Sequence, residues 1–118
     1  MQRGVLAALV VACLGAGVTA QDTAPNRRAF TVVARDGAFA PDRLEVVKDD
    51  LVTITLTSGD GPYSFAIDEY RLMKRTGAGQ SITFQFRAAR TGKFLFYCNL
   101  SSEERCRDMK GTLVVQER

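Results

Sequence analysis

Between residue 30 and the C-terminus, this chain consists of short β-type runs separated by turn residues, and no long helical period interrupts them. Leu51–Thr57 alternates strictly: Val52, Ile54 and Leu56 share one face, and Thr53, Thr55 and Thr57 the other. A period of two carried by β-branched residues marks a strand with one buried face. Ser81–Arg87 repeats the pattern with Ile82, Phe84 and Phe86 inward, and Lys93–Cys98 puts Phe94, Phe96 and Cys98 on one side by parity. Phe30–Ala34, Leu44–Lys48, Tyr63–Ile67 and Gly111–Gln116 supply further runs. Asp36-Gly37, Asp49-Asp50, the breaker cluster Ser58–Pro62 and Thr91-Gly92 turn the chain between them. Phe39 anchors one loop. Asp68–Gly79 is expected to be a loop with one helical turn at most, and Asn99–Lys110 a polar loop. About seven to eight strands at this spacing predict an all-β fold, a Greek-key β-sandwich or barrel.

The first residues belong to a different class. Arg3, the apolar run Val5–Leu14 and the small residues ending Val18-Thr19-Ala20 have the layout of a signal peptide over 1–20, cut before Gln21. The apolar run is too short for a permanent span. A second processing signal overlaps it: Val10-Val11-Ala12-Cys13 has the form of a lipobox, which would anchor the chain to lipid through Cys13. Residues 21–29 form a polar, flexible leader, and 30–118 the domain. Export implies a periplasmic or secreted location, where disulfides persist.

The chain of 118 residues holds 16 basic and 13 acidic side chains, a surplus too small and too interspersed to argue for nucleic acid. Arg105, Arg107 and Lys110, with Lys74 and Arg75, are a solvated face or a docking patch for an acidic protein partner. There is no histidine at all, which removes histidine acid–base catalysis and imidazole metal sites. Phosphate-loop and dinucleotide-binding glycine patterns are also absent, and the carboxylate pairs Asp49-Asp50 and Glu103-Glu104 lie in loops, where solvation is their ordinary role. The expectation is a protein that is not an enzyme.

The informative constellation is Cys98-x7-Cys106-x2-Met109-x-Gly111, with Tyr63 on an earlier strand. Together with Phe39-Ala-Pro41, Leu44–Ile54, Tyr63-Ser-Phe65, Gly92–Cys98 and Met109–Val115, it resembles the cupredoxin pattern. The resemblance is strongest to the copper domain of cytochrome c oxidase subunit II and to small periplasmic cupredoxins. It implies a site made of a histidine on the middle strand and a loop running Cys-x3-Cys-x3-His-x2-Met. Here Cys98 matches the first cysteine and Met109 the methionine, whereas Ser102 falls on the second cysteine, Cys106 on the histidine and Tyr63 on the strand histidine. The resemblance therefore implies a copper scaffold with a degenerate ligand set. A blue-copper centre needs two imidazoles beside its thiolate, and a phenol with a pKa near 10 is a poor substitute.

Three readings of the cysteines follow from the resemblance, which points both positions at one metal. They form a disulfide that staples the loop; or Cys98, Cys106 and Met109 hold Cu(I), which soft donors suit; or they are a reactive thiol pair or a zinc site. Tyr63 is expected to plug the metal position, and Met109 either packs or ligates. The corresponding functions are a binding or structural module without a cofactor, a Cu(I)-handling protein, or an electron-transfer cupredoxin. The last is contradicted at every histidine position.

Overall fold

Alternating runs of this kind can bury their apolar faces only by packing sheet on sheet. In the computed structural model, which describes residues 26–118, they do so. The strands are β1 (Arg27–Arg35), β2 (Ala38–Ala40), β3 (Arg43–Val47), β4 (Leu51–Ser58), β5 (Tyr63–Ile67), β6 (Leu72–Thr76), β7 (Ser81–Arg87), β8 (Gly92–Tyr97) and β9 (Lys110–Gln116). One sheet runs β2-β1-β4-β7 and the other β3-β9-β8-β5-β6. The chain changes sheet after β2, β3, β4, β6 and β7, the crossing connections of a Greek-key sandwich. β1 lies parallel to β4 and β3 parallel to β9, while the remaining pairs are antiparallel. The expected signal peptide over 1–20, the lipobox at Cys13 and most of the leader lie outside the described residues. Among the described residues, no helix is long and apolar enough to cross a membrane.

The parity reading holds in the core. Val52, Ile54 and Leu56 are fully buried, as is Phe96, while Phe84 and Phe94 are nearly so. Ile82 and Phe86 face the same way but are only partly covered. At the centre Phe65 stacks on Phe96 with centroids 4.7 Å apart, and Phe39 meets both rings edge-on. Gly111 makes this possible: a Cβ there would press into the Phe96 ring and sit 2.6 Å from the Asp42 carbonyl oxygen. Asp36 and Gly37 both have positive φ, 52° and 75°, which closes the β1–β2 hairpin in the turn that matches strand twist.

Four expectations are corrected. β1 starts at Arg27, inside the expected leader, because the backbone of Arg27–Ala29 pairs with Leu51–Thr53 whatever the side chains are. Ala38–Ala40 is a short strand rather than a loop, since the tight Asp36-Gly37 turn leads the chain back along β1. Asp68–Gly79 has the one helical turn expected of it, the 3₁₀ turn Asp68–Tyr70, but the segment after it forms β6 rather than a loop. β6 is an edge strand whose Met73, Lys74 and Arg75 are exposed, so it lacks alternation, and its charges guard a free edge. Asp50 is not a solvated carboxylate: it is fully buried, and its Oδ2 accepts the Val47 N–H at 2.8 Å, capping the β3–β4 turn.

Candidate functional site

The site is built from the β5 entry turn, the end of β8 and the loop that joins β8 to β9. Cys98 follows β8 directly, and its N–H donates to the Met109 carbonyl at 3.2 Å. Cys106 ends the 3₁₀ turn Glu104–Cys106, and its carbonyl accepts the Met109 N–H at 3.2 Å. The loop thus folds back on itself, and Cys98 and Cys106 are joined by a disulfide with their Cα atoms 5.2 Å apart. Both cysteines and Met109 are buried. All three belong to the core cluster that contains Phe65 and Phe96.

Ser64 on β5 ties this loop to the sheet. Its backbone N–H donates to Cys98 Sγ at 3.3 Å, and its hydroxyl lies 3.6 Å from the same sulfur. The hydroxyl also donates to Asn99 Oδ1 at 2.7 Å and accepts the Asn99 N–H at 2.8 Å.

Tyr63 is fully buried. Its hydroxyl donates to Asp60 Oδ1 at 2.6 Å and accepts the Gly37 N–H at 3.3 Å. Asp60 Oδ2 in turn accepts the Asp36 N–H at 3.2 Å. Arg105, next to Cys106 in sequence, places its guanidinium 5.8 Å from the Tyr63 ring centroid and donates to the Asp60 carbonyl at 3.3 Å. Gly61 leaves the space that this guanidinium occupies. Burial, reinforced by the Asp60 carboxylate, raises the Tyr63 pKa above its ordinary value, and the Tyr63 hydroxyl lowers that of Asp60. The pair therefore stays a neutral phenol and a carboxylate through the physiological range.

The sequence reading missed Asp60, Ser64 and Arg105 as working parts. Asp60 sat within a breaker cluster and Arg105 within a solvated-looking basic loop. No local pattern announces that the two loops meet.

The scaffold's copper position can be tested on these donors. A disulfide offers no thiolate, and thiolate is the metal-binding form of cysteine. The Tyr63 oxygen is protonated and committed to Asp60 and Gly37. Met109 alone is a single thioether, a weak ligand by itself. No group of three or more histidine, cysteine, aspartate or glutamate side chains is placed to hold a metal among the described residues. In this oxidised form the residues do not fit copper.

Comparison with known proteins agrees with the fold. The family model described as "Cupredoxin-like domain" matches residues 5–115. No curated protein sequence matches the chain. Among solved structures, the blue copper oxidase of Nitrosomonas europaea superposes with a TM-score of 0.67 at 18% identity, over 79% of this chain and 40% of that one. The chain thus spans well under half of that oxidase. Auracyanin A of Chloroflexus aurantiacus gives 0.66 at 14% identity, over 77% of this chain and all of that one. A third neighbour comes from the mixed disulfide between a thioredoxin-like protein and subunit II of cytochrome c oxidase. It gives 0.62 at 16% identity, over 75% of this chain and 81% of its own. With a family match over nearly the whole sequence and this sandwich, the chain belongs to the cupredoxin-like domain family.

Proposed function

We propose that this protein is an exported binding or structural module of the cupredoxin type, neither an enzyme nor an electron carrier. The metal end of its scaffold is closed by the Cys98–Cys106 disulfide and plugged by Tyr63. One observation carries the reading: the two cysteines that lie at ligand positions are bonded to each other. The chain has no histidine to make an oxidised copper centre tolerable beside them. The signal-type N-terminus and a disulfide at the heart of the site support a periplasmic or secreted location. Arg107 and Lys110 border the closed loop and make no salt bridge among the described residues, which supports an acidic protein as partner. Adding Cu(II) to the oxidised protein should produce no intense visible band and leave the melting temperature unchanged. A blue or purple species cycling reversibly at an electrode would overturn the reading.

A second reading is favoured by the way the Met109 main chain bonds to both cysteines, which brings three sulfur side chains into one loop. After reduction, Cys98, Cys106 and Met109 form a soft set suited to Cu(I). The subunit II neighbour joined to a thioredoxin-like protein supports a dithiol protein of that type as the reductant. Competition titration of the reduced protein with Cu(I), compared with Cys106→Ser, tests it. Equal affinities would end it.

A further inference from the structure

The two sulfurs of the disulfide have different surroundings. Cys98 Sγ faces a backbone N–H fixed by β5 at 3.3 Å and the Ser64 hydroxyl at 3.6 Å. The N–H is a donor already aimed at the position where negative charge would develop if that sulfur left as a thiolate, and the hydroxyl, which now donates to Asn99 Oδ1, lies within reach of it. Charge-assisted hydrogen bonds of this kind are the strong ones. No hydrogen bond to Cys106 Sγ is found among the described residues; that cysteine is carried by a loop turn rather than a strand. Both cysteines are nearly buried, so access comes through clefts rather than an open surface. A cleft of roughly 590 Å³ is lined by both of them, with Asn99, Ser102, Glu104 and Arg107 on its walls. A second, of roughly 200 Å³, reaches them from the side of Leu95 and Lys110. Arg107 borders both clefts and makes no salt bridge among the described residues; Glu103 and Glu104 share the larger cleft with it, whereas Lys110 and Asp108 flank it in the smaller, so the smaller is the approach that favours an anion.

We infer that the Cys98–Cys106 bond is a directional thiol–disulfide exchange site, entered by an external thiolate at Cys106 with Cys98 as the leaving sulfur. Exchange is faster when the departing thiolate is the better stabilised one, and here that is Cys98. The thiolate of a dithiol reductant forms a bond to Cys106 Sγ. The Cys98–Cys106 bond breaks, and its electron pair stays on Cys98, held by the Ser64 N–H. The Ser64 hydroxyl, now shared with Asn99, can turn to the same sulfur. The reductant's second thiol then attacks its own sulfur in the mixed disulfide and releases Cys106. Two electrons and two protons have passed from the dithiol to the protein, and the loop is open. This deepens the disulfide-closed reading and rests on it only in requiring the oxidised pair.

The test uses the oxidised, folded chain and a monothiol, reduced glutathione, in excess at mildly alkaline pH. Free thiols are trapped at intervals by rapid alkylation, and the products are mapped by mass spectrometry. The expected product carries glutathione on Cys106 and the alkyl group on Cys98, in about ten-fold excess over the reverse isomer, since one charge-assisted hydrogen bond suffices for that ratio. Ser64→Ala keeps the backbone donor and should reduce the excess about two- to three-fold. Equal isomers, or glutathione mainly on Cys98, would overturn the inference. So would adducts that form only when denaturant has unfolded the domain. A colourless protein that gave no native adduct would sink this inference alone, whereas a copper-coloured one that gave the Cys106 adduct would sink only the closed-site reading.

Discussion

Between the sheets, Phe39, Phe65, Phe84 and Phe96 meet ring against ring, whereas at the loop end Tyr63, Asp60, Arg105 and the disulfide meet through single directed contacts. The first region is held by apolar area, which is large and indifferent to exact partners. The second, although Tyr63 and both cysteines are buried in the same cluster, depends also on which atom faces which. It lies at the end of the sandwich that carries the β8–β9 loop, and it joins that end with one covalent bond and a tyrosine–carboxylate pair. The contrast teaches that the sheets and the loop end are held by interactions of different kinds, so that a change in one need not disturb the other.

That separation can be broken or sharpened by four measurements, from the largest effect to the smallest. Phe65→Ala should cost about 3–5 kcal/mol, since it empties a fully buried ring position touching three other rings. Urea unfolding of oxidised protein measures it, and a cost below that of opening the disulfide would erase the distinction between the regions. Reducing Cys98–Cys106 should cost about 2.5 kcal/mol from the loop entropy returned to the unfolded chain, read as a lower urea midpoint in the presence of reductant. The far-ultraviolet spectrum should not change, because the sheets do not depend on the bond.

Tyr63→Phe comes third, at about 1 kcal/mol for one lost hydrogen bond. Its signature is in the pH profile. Asp60 has a folded-state pKa below its unfolded value, chiefly through the Tyr63 hydroxyl. Its contribution is present above the unfolded value and is lost as pH falls through the folded one. Tyr63 is shifted the other way, chiefly by burial. Its contribution is complete below a pH of about 10 and fades as pH rises through the folded-state value. Tyr63→Phe should therefore flatten both limbs of a melting-temperature profile, and limbs identical to wild type would remove the pair from the account. The smallest effect is expected from Gly61→Ala. The added Cβ displaces only the far end of Arg105, a flexible side chain. The loss should be about 0.5–1 kcal/mol, near the value of a surface cation–π contact, as a modest drop in thermal midpoint.

Legibility followed the same division. The buried faces of β4, β7 and β8 were readable because alternation is a local pattern and each residue's neighbours two places away share its fate. β6 was not readable, since an edge strand with an exposed Met73, Lys74 and Arg75 has no buried face to declare it. The Asp50 carboxylate was misread for a related reason: two adjacent aspartates look solvated in sequence, and only the tight return from Val47 buries the second. At the site, Cys98, Cys106, Met109 and Tyr63 were all picked out from their positions in a known pattern. Asp60, Ser64 and Arg105 were not.

By itself the sequence determined the strand faces, the turns and the absence of imidazole, because each is set by residues adjacent along the chain or by composition alone. Only the tertiary structure decided that Cys98 meets Cys106, that the Tyr63 hydroxyl donates a hydrogen bond to Asp60, and that Arg105 crosses from one loop to the other. Such contacts join side chains brought together by packing. Their geometry comes from how two sheets hold three loops at one end, which no short stretch of sequence encodes.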